Sequence, residues 1–229
     1  MTAVVAALVG ITALLSACTA APEEPVATPR PVTTEEAQTL ALARFRSFDA
    51  GSRPFSTTVR ERGADLHLQG WVDYSTHIGY ASVTGDFDPE ALLWTGSTMG
   101  ITPAEPDAAG DPPLPIPDLD DENWISQPID NTVSRLGALL SVIGGLASDR
   151  PDNPLLLQQA GALWVRADTV DGTPVTVFAS PPSDEPLTAS SPPLDADSSG
   201  LRLWVTDDGL ILRAEVRIGD SWSVINFPD

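Results

Sequence analysis

The segment "LRLWVTDDGLILRAEVRIGDSWSVINF", residues 201–227, decides the fold class of this 229-residue chain. Two polar breaks, Asp207-Asp208-Gly209 and Gly219-Asp220, divide it into three runs rich in β-branched and aromatic residues, as in an antiparallel meander. In the middle run apolar residues alternate with charged ones, which predicts a half-buried strand. The predicted core face holds Leu210, Leu212, Ala214, Val216 and Ile218, and the predicted solvent face holds Arg213, Glu215 and Arg217.

The same alternation occurs earlier in the chain, in "ADLHLQGWVDY", residues 64–74. Short segments of similar character surround it, so residues 55–100 are predicted to form a second meander. Asp171-Gly172, between two apolar runs, predicts a further hairpin. The predicted faces of the 64–74 strand are Leu66, Leu68, Gly70 and Val72 on one side, and His67, Gln69, Trp71 and Asp73 on the other.

Three segments have helical patterns. Thr33 and Glu36 form a capping box before a helix predicted over about 34–49. A second helix is predicted to begin after an N-cap at Asp130 or Asn131, and a third to begin at Pro154. The apolar stripe of the second helix contains Val133, Leu136, Leu139, Leu140, Ile143 and Leu146.

Gly144-Gly145 weakens the second half of that helix, at a cost of roughly 1 kcal/mol per glycine relative to alanine. Two explanations stay open: close packing of the backbone, or a flexible half-helix that moves to admit a ligand. The order helix, strands, helices, strands predicts a single antiparallel α+β domain over residues 34–229, with the helices on one face of the sheet.

Two long loops rich in proline and acidic residues interrupt this pattern, at 101–128 and 181–199. Trp124 lies in the first loop, before the second helix. A large apolar ring in an acidic loop needs an apolar contact, so Trp124 either packs on the sheet or covers a groove as a lid.

Composition excludes several functional classes. The net charge is -20, and all twelve cationic side chains are arginine, which argues against binding to nucleic acid. Cys18 is the single cysteine, so neither an intramolecular disulfide nor a cysteine-type zinc site is possible.

The position of Cys18 indicates where the protein resides. The apolar run from Val4 to Leu15 is shorter than the roughly 20 residues that span a bilayer, and residues 1–17 fit a signal peptide. Leu15-Ser16-Ala17-Cys18 resembles the lipobox of bacterial lipoproteins. That resemblance implies that Cys18 is lipidated and anchors the protein at the extracytoplasmic face of the cell membrane. The alternative is an ordinary secretory signal with a chance cysteine. Residues 18–33, rich in proline, alanine and threonine, are predicted to form a tether.

Four segments, together with the lipobox and the tether, resemble the LppX/LprG-type lipoproteins of actinobacteria and, more remotely, the LolA/LolB-type carriers. They are "QGWVDYSTHIGYASVTG" (69–85), "LLSVIGGLAS" (139–148), "ADTVDGTPVTVF" (167–178) and "GLRLWVTDDGLILRAEVRI" (200–218). The resemblance implies a curved antiparallel sheet, a half-barrel, with helices packed on its concave face and an apolar ligand between them. No ligand contact of those families is carried over residue by residue. A ligand between the sheet and the second helix would contact candidate residues Trp124, Val133, Leu136, Leu140 and Ile143.

Catalytic motifs are weak. "GDSWS", residues 219–223, contains the Gly-Asp-Ser sequence of a hydrolase motif, but its position between two predicted strands predicts a turn. His67 and His77 flank a hairpin near Tyr74-Ser75 and allow two interpretations: a facing pair that, with Asp73, binds a metal weakly or works in acid–base chemistry, or two solvent-facing polar residues on strands. "DLDDEN", residues 118–123, lacks the glycine and distal glutamate of a calcium loop. No catalytic residue, metal ligand or cofactor is predicted.

These observations favour a monomeric, membrane-anchored lipoprotein that binds or carries an apolar ligand such as a lipid. The first alternative is an anchored protein–protein interaction module with a filled core, and the second is an enzyme. An apolar cavity of roughly several hundred Å³ between sheet and helices would distinguish the first two hypotheses.

Overall fold

The computed structural model describes residues 28–117, 122–182 and 195–228. Within these ranges, twelve strands form one antiparallel sheet, and three helices accompany it. The helices are α1 (Thr34–Asp49), α2 (Arg135–Gly145) and α3 (Pro154–Gln159). The strands are β1 (Arg30–Pro31), β2 (Ser52–Glu61), β3 (Ala64–Asp73), β4 (Ile78–Gly85), β5 (Phe87–Trp94), β6 (Thr98–Pro103), β7 (Ile125–Pro128), β8 (Leu163–Val170), β9 (Thr173–Ala179), β10 (Leu201–Val205), β11 (Ile211–Ile218) and β12 (Ser221–Asn226).

The sheet consists of two meanders placed side by side. Its strand order is β1-β8-β9-β10-β11-β12-β2-β3-β4-β5-β6-β7. The meanders join where β12 meets β2, and only two residue pairs are in register there, Ile225 with Thr57 and Asn226 with Ser56. The outermost strands of the sheet are short: β1 has two residues and covers only Leu163 and Trp164 of β8, and β7 has four.

The main hydrophobic core lies on one face of the sheet, called here the inner face. Phe55, Leu68 and Ile225 from the strands pack there with Leu139 and Ile143 of α2. The sheet closes around α1 and α2 as a half-barrel, which confirms the predicted α+β class with helices on the concave face.

The opposite, outer face is partly covered as well. The loop over residues 104–117 is held on it by three hydrogen bonds: Tyr80 Oη donates to Pro113 O at 2.8 Å, Ser82 Oγ to Gly110 O at 2.6 Å, and Gln69 Nε2 to Ala109 O at 2.9 Å. A second apolar cluster forms on β8–β11 and contains Leu163, Val165, Val170, Val175, Val177, Ala179, Ala196, Trp204 and Leu212. Parts of β8–β11 are therefore buried on both faces.

The predicted alternation in β11 is correct from Ala214 to Ile218 and wrong at the start of the strand. Trp204 pairs with Arg213, but Val205 pairs with Ile211, so Leu212 is an extra residue in a bulge. Ile211 consequently enters the main core, and Leu212 enters the outer cluster. Leu210 precedes the strand and is half-buried, while Arg213 is half-buried too, with its Nε donating to Asn226 Oδ1 at 2.9 Å.

Helix α1 begins at the predicted capping box and has the predicted length. Helix α2 begins later than expected, because Ser134 is its N-cap, and the Asp130 carboxylate accepts hydrogen bonds from Thr132 instead. Val133 therefore lies outside the helix and is 79% exposed, so its assignment to the apolar stripe is wrong. The other members of the stripe are buried.

Candidate functional site

Two cavities flank the C-terminal end of α2. The first, called here the sheet-side cavity, has a volume of about 490 Å³ and lies between α2 and the ends of β3 and β5. The second, the helix-side cavity, has a volume of about 350 Å³ and lies between α1, α3 and β10. The sheet-side cavity is lined by Val72, Tyr74, His77, Trp94, Thr95, Gly96, Ile129, Leu140, Ser141 and Gly144.

Trp94 forms a fixed wall of the sheet-side cavity. Its ring lies directly over Gly79, where a Cβ atom would come within 2.0 Å of a ring carbon. Phe55 holds it in an edge-to-face contact, with ring centres 5.7 Å apart. Since Trp94 is only 3% exposed, this wall exists before any ligand arrives.

Tyr74 lines the same cavity and has a polar atom at the end of its ring. The side chain is 1% exposed, and its Oη has no hydrogen-bond partner within the described part of the chain. Burial raises the pKa of the phenol above its ordinary value, so the hydroxyl is neutral and is a hydrogen-bond donor. Leaving such a group unpaired in a protein interior costs about 1–3 kcal/mol.

The glycines at the end of α2 face open space. A Cβ atom at Gly144 or Gly145 would meet no atom within 4 Å, whereas at Gly137 it would lie 2.7 Å from Asp130 O. Close packing therefore explains Gly137, and as an explanation for Gly144-Gly145 it is wrong. Gly144 borders the sheet-side cavity and Gly145 borders the helix-side cavity. Neither cavity is therefore narrowed by a side chain where it meets the end of α2.

The helix-side cavity has one ion pair on its lining. Arg44 Nη1 lies 3.1 Å from Asp152 Oδ1, and Arg44 Nε donates to Gly145 O at 2.9 Å. This arginine ties α1 to the last turn of α2. Leu156 of α3 lines the same cavity and is 42% exposed.

The four candidate ligand residues on and before α2 separate into three groups. Leu140 lines the sheet-side cavity, while Leu136 and Ile143 lie in the main core with exposures of 6% and 0%. Val133 borders a separate surface depression near Arg217. Whether any of them contacts a ligand stays a prediction. Tyr74, Trp94 and Ile129 were missed, although extending the alternation of β3 beyond Val72 would have placed Tyr74 on the inner face.

Trp124 does not have the position expected of a lid. Its ring lies 3.2 Å from the position of a Cβ atom at Gly100. Met99 and Ile101, on either side of Gly100, both pack in the inner core, so the Cβ direction of Gly100 points to the outer face. Trp124 thus packs on the outer face of β6, across the sheet from α2, and its Nε1 has no partner among the described residues.

The histidines are not brought together. His67 of β3 lies opposite Thr58 of β2 and Thr84 of β4. His77 lies in the turn before β4 and has a φ of 58°. The facing pair is therefore wrong. "GDSWS" is a turn that leads into β12, as predicted. No group of three or more acidic, histidine or cysteine side chains within the described ranges is arranged to hold a metal ion.

Cys18 and the greater part of the predicted tether lie outside the described residues, as do residues 118–121 and 183–194 of the acidic loops. Among the helices of the described segments, none is both long and apolar enough to span a bilayer.

No protein-family model matches this sequence, and no curated protein matches it. Among solved structures, the chain is similar to LprF from Mycobacterium bovis, with 14% identity over 87% of this chain and 93% of that one, at a TM-score of 0.40. It is also similar to LppX from Mycobacterium tuberculosis, with 12% identity, coverage of 84% and 93%, and a TM-score of 0.41. An outer membrane lipoprotein-sorting protein domain from Vibrio parahaemolyticus matches with 11% identity, coverage of 85% and 90%, and a TM-score of 0.26. The solved structures that are similar to this chain thus include LppX, and the LppX/LprG-type group that the sequence motifs of this chain resemble is named in part after that protein.

Proposed function

We propose that this protein is an envelope lipoprotein, anchored through a lipid on Cys18 at the extracytoplasmic face of the cell membrane, which binds an apolar ligand such as a lipid acyl chain. The observation that carries the proposal is the sheet-side cavity. Its volume of about 490 Å³ falls in the range of roughly 300–1,000 Å³ that is usual for small-molecule sites.

The lining of this cavity suits a mainly apolar ligand with one polar group. Val72, Trp94, Ile129 and Leu140 offer apolar surface, and each buried methylene contributes about 0.8 kcal/mol. Among the described residues the neutral hydroxyl of Tyr74 has no acceptor, and a carbonyl or carboxyl oxygen of a ligand would supply one. The fixed position of Trp94 limits the reorganisation that binding requires.

The competing hypothesis, an anchored interaction module with a filled core, predicts no space between the helices and the sheet. Two cavities at that place favour the ligand-binding hypothesis over it.

The test is a titration of the mature protein with a fluorescent fatty acid, together with mass spectrometry of organic extracts from protein purified without its leader. Gly144→Phe puts a ring at the mouth of the sheet-side cavity and is expected to weaken binding at least about tenfold. The matched control is Gly200→Phe, because a Cβ atom at Gly200 also meets no atom within 4 Å and Gly200 borders neither cavity. Wild-type protein that binds no apolar probe would contradict the proposal, and loss of binding only with Gly145→Phe would move the site to the helix-side cavity.

A further inference from the structure

A polar groove opens on the outer face where the two meanders join. Strands β12 and β2 pair with each other only at Ile225 and Asn226. Beyond these pairs the two strands separate, β12 towards Ser221 and β2 towards Glu61. A cavity of about 670 Å³ lies at this place and is called here the junction groove. Gly110, in the loop fastened to the outer face, also borders it.

A row of polar side chains in register lies on the floor of the junction groove. Thr58 of β2, His67 of β3 and Thr84 of β4 are direct cross-strand neighbours. Leu68 and Val83, next to them in sequence, face the inner core, so this row faces outwards. Thr58 Oγ1 and His67 Nδ1 are 2.9 Å apart, and Ser56 borders the groove one row further along. Hydroxyl groups both donate and accept hydrogen bonds, so the floor favours a ligand that does the same.

Trp222 forms one wall of the groove and is 37% exposed. The guanidinium carbons of Arg202 and Arg217 lie 4.5 Å and 5.9 Å from the centre of its ring. Both arginines belong to strands on the side of β12 away from β2. The ring is therefore held from the side of β10 and β11 while it borders the groove on the side of β2, which makes it a rigid apolar platform.

Charge and strand pairing narrow the class of ligand. Arg60 and Asp65, which both border the groove, form an ion pair at 3.7 Å, so neither sign of charge dominates the site. The net charge of -20 disfavours polyanions. Strands β2 and β3 pair along their whole length, so the floor between them offers no free strand edge, and an extended peptide would find one only where β2 and β12 separate from each other.

We propose that the junction groove is a second binding site, for a neutral oligosaccharide. The hydroxyl groups of the sugar would bond to the row of Thr58, His67 and Thr84, and an apolar C–H face of a sugar ring would stack on Trp222. This site lies on the opposite face of the sheet from the apolar cavities, so it stands or falls independently of the proposed lipid ligand.

The test is isothermal titration calorimetry of the mature protein with five neutral pentasaccharides: cellopentaose, maltopentaose, mannopentaose, galactopentaose and arabinopentaose. At least one is expected to bind with a Kd below about 1 mM. Trp222→Ala removes the platform, and Thr58→Arg fills the floor with an exposed side chain. Each change is expected to weaken binding of that sugar at least about tenfold and to leave the affinity for the fluorescent fatty acid unchanged.

Gly144→Phe serves as the reciprocal control, because it alters the inner face and is expected to leave sugar binding intact. Absence of binding by all five sugars at about 10 mM would overturn the proposal. Sugar binding that persists in both groove variants would also overturn it, and so would displacement of the bound sugar by an extended serine-alanine peptide, which would mark the groove as a peptide site.

Discussion

Replacing Gly144 and Gly145 by alanine tests whether the end of α2 is open, as the structure indicates. Alanine is favoured over glycine in a helix interior by about 0.8–1 kcal/mol, because the glycine backbone loses more freedom on folding. Neither new methyl group meets an atom within 4 Å. Both positions lie next to the C-cap at Leu146, where the preference is smaller, so the pair is expected to raise the free energy of unfolding by about 1 kcal/mol.

Urea denaturation measures this change directly, and the midpoint should rise without a change in the slope. For a domain of this size, about 1 kcal/mol corresponds to a Tm increase of about 2–4 °C. Gly137→Ala is the matched control in the same helix. Its methyl group would lie 2.7 Å from Asp130 O, so a loss of about 1–3 kcal/mol is expected. If the alanine pair at the end of the helix destabilises the protein as Gly137→Ala does, the reasoning from open space is refuted.

The same double variant addresses ligand entry. Stopped-flow uptake of the fluorescent fatty acid that slows while stability rises would indicate that motion of the helix end admits the ligand. Unchanged uptake would indicate that the glycines only leave the cavity mouths free of side chains.

Three further changes have clear expectations. Cys18→Ala is expected to move the protein out of the membrane fraction or to leave its precursor uncleaved, as cell fractionation and immunoblotting would show; a processed, membrane-bound variant would contradict the anchor. Arg30 donates hydrogen bonds to the Glu36 carboxylate at 2.6 Å and 2.7 Å and lowers the pKa of that carboxyl from 4.5 to about 2. The ionised Glu36 therefore stabilises the folded protein fully above pH 4.5, and this stabilisation is lost as the pH falls towards 2. Glu36→Gln should therefore lower the urea midpoint at pH 7 and match wild type near pH 2, and an equal deficit at both pH values would disprove this linkage. Trp204 Nε1 donates to Asp168 Oδ2 at 2.9 Å. Asp168→Ala removes this acceptor and should lower the free energy of unfolding by about 1–3 kcal/mol in urea denaturation, while Asp168→Asn, which keeps an acceptor, should lower it less.

The sequence predicts the one-sided strands well because their pattern is local. In β3, Leu68 and Val72 are buried as the alternation predicts, since a period of two is a property of the strand itself. The bulge at Leu212 was not predictable in this way, because it depends on how β11 pairs with β10. The outer cluster around Trp204 was missed for a related reason: a strand buried on both faces has no alternation to detect.

The site was harder to predict than the fold. A cavity is the space that side chains leave unfilled, and the stripe on α2 shows which residues face the sheet without showing where they stop short of it. Trp124 illustrates the limit on loops, because composition indicates that its ring needs an apolar contact but not which face of the sheet provides it. The backbone acceptors at Gly110 and Pro113 that fasten the acidic loop likewise leave no trace in the hydropathy pattern.

The short edge strands have a consequence for the crowding that the proposed membrane anchor would cause. An open sheet of many strands can grow by adding a strand from a second molecule, and that growth leads to fibres. Here β1 offers two residues and β7 four, and each ends in a proline, Pro31 or Pro128, which has no N–H group to donate to a neighbour. The part of β8 beyond Trp164, which β1 does not cover, has the charged side chains of Arg166 and Asp168, and charged residues disfavour the addition of a further strand. We expect neighbouring copies to slide past one another as separate particles at high surface density, without joining into ribbons.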